Sequence, residues 1–344
     1  MLKVLPTYIE LERQERENPQ PPLPPVNKPV ARGRTYPGTA LLAQRLRRLG
    51  DLAADAQIPA EPDLYSGALV EAVQHFQRRH GLPDDGRITP DTVRELNVPM
   101  SVRLMQLKLT LERWRWLPSS LHSPLVVVNI PEFQLRAYSG PPPEREPAFT
   151  TKVIVGKAYR HRTPVFVDEM EYVIFRPYWN VPSSIIRNEI LPALRRNPAY
   201  LSNHRMEMVS SSGRFEVRQR PGPGNALGLV KFVFPNEYDV YLHGTPEKAL
   251  FNRVRRDFSH GCIRVEDPEG LAVWVFRNDP SWTREQILAA MNGDRTMQVN
   301  LPQHIPVLIF YATAMVDESG EVRFFDDIYK LDAALERALA SAPH

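Results

Sequence analysis

From Gly38 onward apolar residues recur at helical spacing: Leu41, Leu42, Leu46 and Leu49 lie on one face, and the run stops at Gly50. Val70, Val73 and Phe76 repeat the pattern before Gly81. Asp84-Asp85-Gly86 then reads as a turn, and Thr89-Pro90 places a cap and a first-turn proline ahead of Val93 and Leu96. Three short helices over 38–97 predict a small independent bundle, either a spacer or a binding module. Upstream, Tyr8-Ile9-Glu10-Leu11-Glu12 reads as the end of a helix whose beginning is absent. Residues 18–29 hold six prolines in twelve positions, an extended linker or a loop pinned against a domain. Val102 to Pro118 predicts a further helix with Leu104, Leu107, Leu111 and Trp114 on one stripe, linking the two domains by packing between them.

Past Leu125 the period changes to two or to continuous apolar runs. Leu125 to Ile130 and Phe133 to Tyr138 flank Pro131-Glu132 as a hairpin. Phe149–Val155, Glu171–Phe175, Gly228–Phe234, Asp239–Leu242 and Ile305–Ala312 read as further strands. Two late helices follow, one opened by Asp267-Pro268 and one by Thr283 with Gln286 three residues on, ending at Gly293. The expected fold is multidomain α+β, a helical module before a mainly-β domain. Asn180 to Ala226 interrupts that domain with a helical piece, Ser184 to Arg196, and a flexible Pro221-Gly222-Pro223-Gly224 loop. An insertion of this length is read as a lid over a site, against a plain surface excursion.

Composition narrows the function. A net charge of +3, from 43 basic and 40 acidic residues, gives no argument for nucleic acid. The 34 prolines are about twice the usual share and favour loops over long helices. No apolar run reaches the roughly 18–20 residues of a membrane span. Met1 to Glu17 has no signal-peptide core, which taken literally says cytoplasm; its abrupt start leads us to expect a missing upstream segment.

One cysteine stands in the whole chain, so an intramolecular disulfide is excluded. Alone, such a thiol is a small buried hydrophobe. Its surroundings argue otherwise: Ser259-His260-Gly261-Cys262-Ile263-Arg264-Val265 lies downstream of Tyr241-Leu242-His243-Gly244-Thr245. A thiol needs a base to ionise at neutral pH. His260 is too near in sequence to reach the sulfur productively, so His243 is the expected base and His260 a site-shaping residue. Gly261 lets the backbone turn, so that the N–H groups of Gly261 and Cys262 can face an oxyanion. No carboxylate is placed to orient His243; a carbonyl near Gly244 or Thr245 could. His243, His260 and Cys262 have zinc-ligand identities, yet no fourth ligand is evident, and neither metal nor organic cofactor is expected.

Two stretches resemble known families. Tyr65 to Pro90, with Ala72-Val73, Phe76-Gln77, Gly81-Leu82 and Asp85-Gly86, resembles the peptidoglycan-binding domain 1 family, which implies a three-helix wall-binding module over 38–97. His243-Gly244-Thr245 with Ser259-His260-Gly261-Cys262-Ile263-Arg264-Val265 resembles the YkuD-type L,D-transpeptidase signature, supported by Val155-Gly156-Lys157, Thr163-Pro164 and Trp179-Asn180-Val181-Pro182. The order of modules is similar to that of the large YcbB-type enzymes. The implied division is a Pro-rich segment or partial scaffold over 1–37, a linking helix over 98–123, a catalytic domain over 124–312 with its cap at 180–226, and a C-terminal segment over 313–344.

The resemblance implies Cys262 as nucleophile and His243 as proton donor and acceptor. Ser259, His260, Gly261 and Arg264, with Tyr241 and Gly244, are the candidate substrate and oxyanion residues; Arg264 holds a stem carboxylate or is merely a surface arginine. The implied reaction forms 3→3 cross-links between peptidoglycan stem peptides, a tetrapeptide donor and a diaminopimelate acceptor, in the periplasm or cell envelope near a membrane anchor absent here. Carbapenem-type inhibitors are the implied inactivators. An L,D-carboxypeptidase using water as acceptor, and a non-catalytic peptidoglycan-binding protein, remain the rivals.

Overall fold

The computed structural model describes residues 1–58, 61, 63–118, 121–140, 146–159, 161–211, 214–317 and 319–341. Residues 119 and 120 of the expected linking helix, 212 and 213 of the insertion and 342–344 of the C-terminal segment therefore lie outside the described residues. The chain divides into two compact units, Met1–Pro118 with Tyr311–His344, and Ser119–Phe310.

In the first unit the helices Thr39–Leu49, Ala68–Arg79 and Pro90–Leu96 bury Leu42, Leu46, Leu69, Val73, Phe76 and Val93 around Tyr36 and Tyr65. Their ends follow local chemistry: Gly50 closes the first in a left-handed conformation, and the Thr89 hydroxyl accepts the Thr92 N–H to cap the third. The proline-rich stretch is pinned to this bundle, for Leu23 is buried and exchanges hydrogen bonds with Asn97 (2.8 and 3.2 Å).

Two expectations need correction here. Tyr8–Glu12, read as the end of a helix, is the middle of one that runs Leu5–Glu17. Helix Met100–Arg115 buries Leu104 and Leu107 with Tyr8, Ala314, Val322 and Phe324 of its own unit, while Trp114 is 40% exposed. Its covered face extends instead over Arg103 and Arg113, each neutralised by a carboxylate, Glu95 at 2.7 Å and Asp332 at 2.5 Å. Long cationic side chains buried by pairing are invisible to an apolar-period search.

The second unit is built on one mixed sheet. Its strand order is Asp257–Ser259, Phe149–Gly156, Ile263–Val265, Leu242–His243, Val230–Val233, Phe166–Phe175, Met297–Phe310, Leu125–Asn129 and Gln134–Tyr138. A further pairing between Gln134–Tyr138 and Phe149–Gly156 closes the sheet on itself. Leu125–Asn129 and Gln134–Tyr138 form the expected hairpin. Helix Pro268–Val275 is capped by Asp267, and Arg284–Asn292 by a Thr283–Gln286 capping box.

The insertion is a folded subdomain. Trp179–Asn180, Arg214–Gln219 and Met206–Ser211 make a three-stranded sheet with Arg214–Gln219 at its centre. Ser183–Ile185, a π-helical turn Ile186–Ile190 and Leu191–Arg196 run on continuously, and Val181, Ile190 and Val217 form a separate core. Pro221–Gly224, read from sequence as a flexible loop, is tied down: Asn225, 1% exposed, donates to the carbonyls of Pro177, Gln219 and Arg220, and Gln219 donates to that of Gly224.

Candidate active site

The short strand Leu242–His243 lies between Val230–Val233, antiparallel to it, and Ile263–Val265, parallel to it. Register pairs His243 with Lys231 on one side and with Arg264 on the other. Cross-strand partners share a face, so Lys231, His243 and Arg264 lie on one face of the sheet. Lys231, Tyr241 and Cys262 line a cleft of about 1180 Å³, with His161, His260 and Gly261 beside them and Asn180, Ile186 and Arg218 of the insertion opposite.

Cys262 follows Gly261, whose φ of +118° suits glycine and reverses the chain just before the thiol. The turn is held from both sides. Ser259 Oγ donates to the Cys262 carbonyl at 2.5 Å and accepts the Gly261 N–H at 3.2 Å. Thr163 Oγ1 donates to the Gly261 carbonyl at 2.7 Å and accepts the Gly156 N–H at 2.9 Å. The Gly261 N–H, expected to face an oxyanion, is thus occupied by Ser259. The Cys262 N–H has no hydrogen-bond partner among the described residues.

Burial raises the thiol pKa above its ordinary value; the Tyr241 backbone and hydroxyl and the charge of Lys231 oppose that rise without cancelling it. The sulfur also lies 3.6 Å from the Asp239 carbonyl. His243 is 4% exposed, and burial with the Arg264 charge pulls its pKa down to about 3. Its Nδ1 is 2.5 Å from the Gly244 carbonyl, which can only accept, so the neutral ring carries its proton there and leaves Nε2 basic. No hydrogen bond joins His243 to Cys262 among the described residues. The resting pair is a neutral thiol and a neutral imidazole.

That neutrality has a measurable sign. The unfolded histidine gains a proton near pH 6.5 and the folded one only near 3, so the folded domain loses stability as pH falls through this interval and recovers it above. In spectra of histidine-labelled protein the His243 ring, assigned by loss of its signal in His243→Gln, should keep neutral-form shifts from pH 8 to 5. A titration near 6.5 would show the ring to be solvated.

The remaining sequence-predicted residues separate. His260 pairs with Glu189 of the π-helical turn at 2.8 Å and packs against the His161 ring at 4.9 Å, so it touches the insertion instead of the thiol. Arg264 is ion-paired with Glu247 and is not among the cleft-lining side chains. Gly244 acts through its carbonyl on His243, and Tyr241 acts on Cys262 by opposing the rise of the thiol pKa. Lys231 and Glu189 were missed, and no local sequence signal marks them. Among the described residues no three histidine, cysteine, aspartate or glutamate side chains come together as metal ligands, and no helix is long and apolar enough to cross a membrane.

Residues 123–282 match the family described as "L,D-transpeptidase catalytic domain", and residues 35–96 match "Putative peptidoglycan binding domain". A protein of Haemophilus influenzae named "Putative L,D-transpeptidase" is 30% identical over 249 residues, 68% of this chain and 49% of that protein, so the chain spans about half the length of this relative. The solved L,D-transpeptidase of Xylanimonas cellulosilytica is 17% identical, with 83% of this chain and 100% of that one covered, at a TM-score of 0.25. A fused zinc-dependent amidase/peptidase/peptidoglycan-binding protein of Clostridium acetobutylicum is 12% identical over 82% of this chain and 99% of that one, at a TM-score of 0.22.

Proposed function

Because the chain carries an L,D-transpeptidase catalytic domain behind a peptidoglycan-binding domain, we propose that it forms 3→3 cross-links in peptidoglycan, in the cell envelope, through a thioester on Cys262. The observation that supports this most is the only thiol of the chain lining a large cleft, with a buried neutral imidazole two positions out of register on the neighbouring strand.

The donor enters as a tetrapeptide stem with its third-residue carbonyl, that of diaminopimelate, over the sulfur. The thiol proton passes to Nε2 of His243 as sulfur attacks, and the oxyanion accepts the free Cys262 N–H. Collapse of the adduct breaks the peptide bond, and terminal D-alanine leaves with the proton from His243. The Gly244 and Leu227 carbonyls both favour the protonated ring, so it holds the proton briefly although burial disfavours it at rest. The amine of a second stem then attacks the thioester, gives its proton to His243 and restores the thiol. The insertion covers the cleft and limits water, which competes with the amine for the thioester.

The test is mass spectrometry of muropeptides after incubating purified protein with disaccharide-tetrapeptides. Dimers linked through the third residues, with free D-alanine released, are the expected products. Tripeptide alone would make the enzyme an L,D-carboxypeptidase, and unaltered substrate would leave only a wall-binding role.

A further inference from the structure

Lys231 lies outside every motif that marks the site, yet it belongs to the wall of the same cleft. Its Nζ is 3.7 Å from the centroid of the Tyr241 ring, and Tyr241, which lines the cleft together with Cys262, works through its hydroxyl and backbone to hold the thiol pKa down. Nζ forms no ion pair and no hydrogen bond among the described residues; the Asp239 carboxylate favours its charged form without pairing with it, and burial disfavours that form more strongly. A desolvated cation without a paired counter-ion is costly unless a negative charge forms beside it in use. The aromatic face offsets part of that cost, and a thiolate would offset more.

Other charges near the sulfur do not fill this role. Asp239 acts in the opposite sense, towards the protonated thiol. Arg264 is ion-paired with Glu247 and outside the cleft lining, His260 faces Glu189, and the Arg162 guanidinium donates to the Ala158 carbonyl at 2.6 Å. His243 carries no charge at rest. Lys231 is the cation whose field reaches Cys262.

We propose that Lys231 is a positioning residue for Cys262: its ammonium clamps the Tyr241 ring so that the hydroxyl stays on the sulfur, and it supplies the positive charge against which the thiolate forms. The proposal rests on Cys262 being the nucleophile of the acyl transfer set out above. It gives the thiolate a source of stabilisation against burial in the absence of a resting bond to His243.

The experiment is the pH dependence of Cys262 alkylation by iodoacetamide, followed by intact mass on the full chain, where no second cysteine competes. Sulfur forms a bond to carbon, iodide leaves, and the thiol proton goes to solvent. Lys231→Met should slow alkylation about 10-fold at pH 7, a shift of roughly one unit, and reach the native rate on the alkaline plateau. Lys231→Arg should stay within about threefold of native, because it keeps the charge. If Lys231→Met does not fold, Lys231→Gln and Tyr241→Phe are read in the same way, each expected to displace the profile upward. Profiles superimposable on the native one would overturn the proposal. So would an unchanged profile with a raised KM for the stem, which would make Lys231 an anchor for a substrate carboxylate. Because alkylation needs no peptidoglycan, a displaced profile without cross-linked product would sink the proposed function and leave the role of Lys231 standing.

Discussion

Replacing Cys262 with alanine is expected to remove all cross-linked product and all tripeptide, a loss of at least ~10³-fold, while the chain stays folded. No other thiol exists to substitute for it. The sulfur lies 3.6 Å from the Asp239 carbonyl, and thiol to methyl is a small change in volume, so the sheet should persist. Serine should not rescue. The neighbouring imidazole, held down to about 3, is a feeble base towards a hydroxyl, and no carboxylate orients it; its Nδ1 partner is a backbone carbonyl. The same variants should take up no carbapenem, whereas native protein should gain one adduct per chain on Cys262. The decisive measurements are muropeptide chromatography and intact mass, with thermal unfolding as the folding control. Native turnover by Cys262→Ala would end the cysteine mechanism, and an adduct persisting on that variant would move the reactive group elsewhere.

Features with local causes were legible in the amino-acid order. Gly50 and the caps at Thr89, Asp267 and Thr283 fall where turn and capping chemistry put them, since each depends on a few neighbouring residues. The Ser259–Cys262 run was legible for the same reason. What was hidden depends on contacts distant in sequence. Lys231 reaches Tyr241 only through the pairing of two strands, and nothing in Val230–Val233 distinguishes it from any strand lysine. The closure of the Gly261 N–H by Ser259 depends on the exact turn, which a glycine leaves undetermined. The insertion read as helix and loop because its strands Met206–Ser211 and Arg214–Gln219 are rich in polar residues and pair mainly with each other. That pairing also bears on any test by deletion. Cutting 210–224 would remove the central strand of the small sheet, so it would report on the collapse of the insertion rather than on gating.

Gly156→Ala is expected to cripple the nucleophile from a distance. A Cβ on Gly156 would stand 1.9 Å from the His161 carbonyl oxygen, 2.8 Å from Thr163 N and 3.0 Å from Arg162 C. These are backbone atoms, so no side-chain rotation relieves the clash and the segment leading to Thr163 must move. Thr163 is 2% exposed, and its hydroxyl bridges Gly156 N–H to the Gly261 carbonyl, immediately before the thiol. Once it shifts, the turn is held only by Ser259, and Cys262 loses its fixed approach to a bound carbonyl. Misplacement of a reacting atom by about 1 Å costs on the order of 10²-fold, and that is the loss expected in the rate of Cys262 acylation by a carbapenem. Thr163→Val should reproduce much of this, since it removes both bonds while filling nearly the same volume. Thr163→Ser should stay near native, because it keeps the hydroxyl. The rate of adduct formation by time-resolved mass spectrometry measures each, with circular dichroism to show that the sheet persists. Acylation of Gly156→Ala within about threefold of native would mean that the Thr163 bridge does not hold the nucleophile, and the rigidity of the turn would then have to come from Ser259 alone.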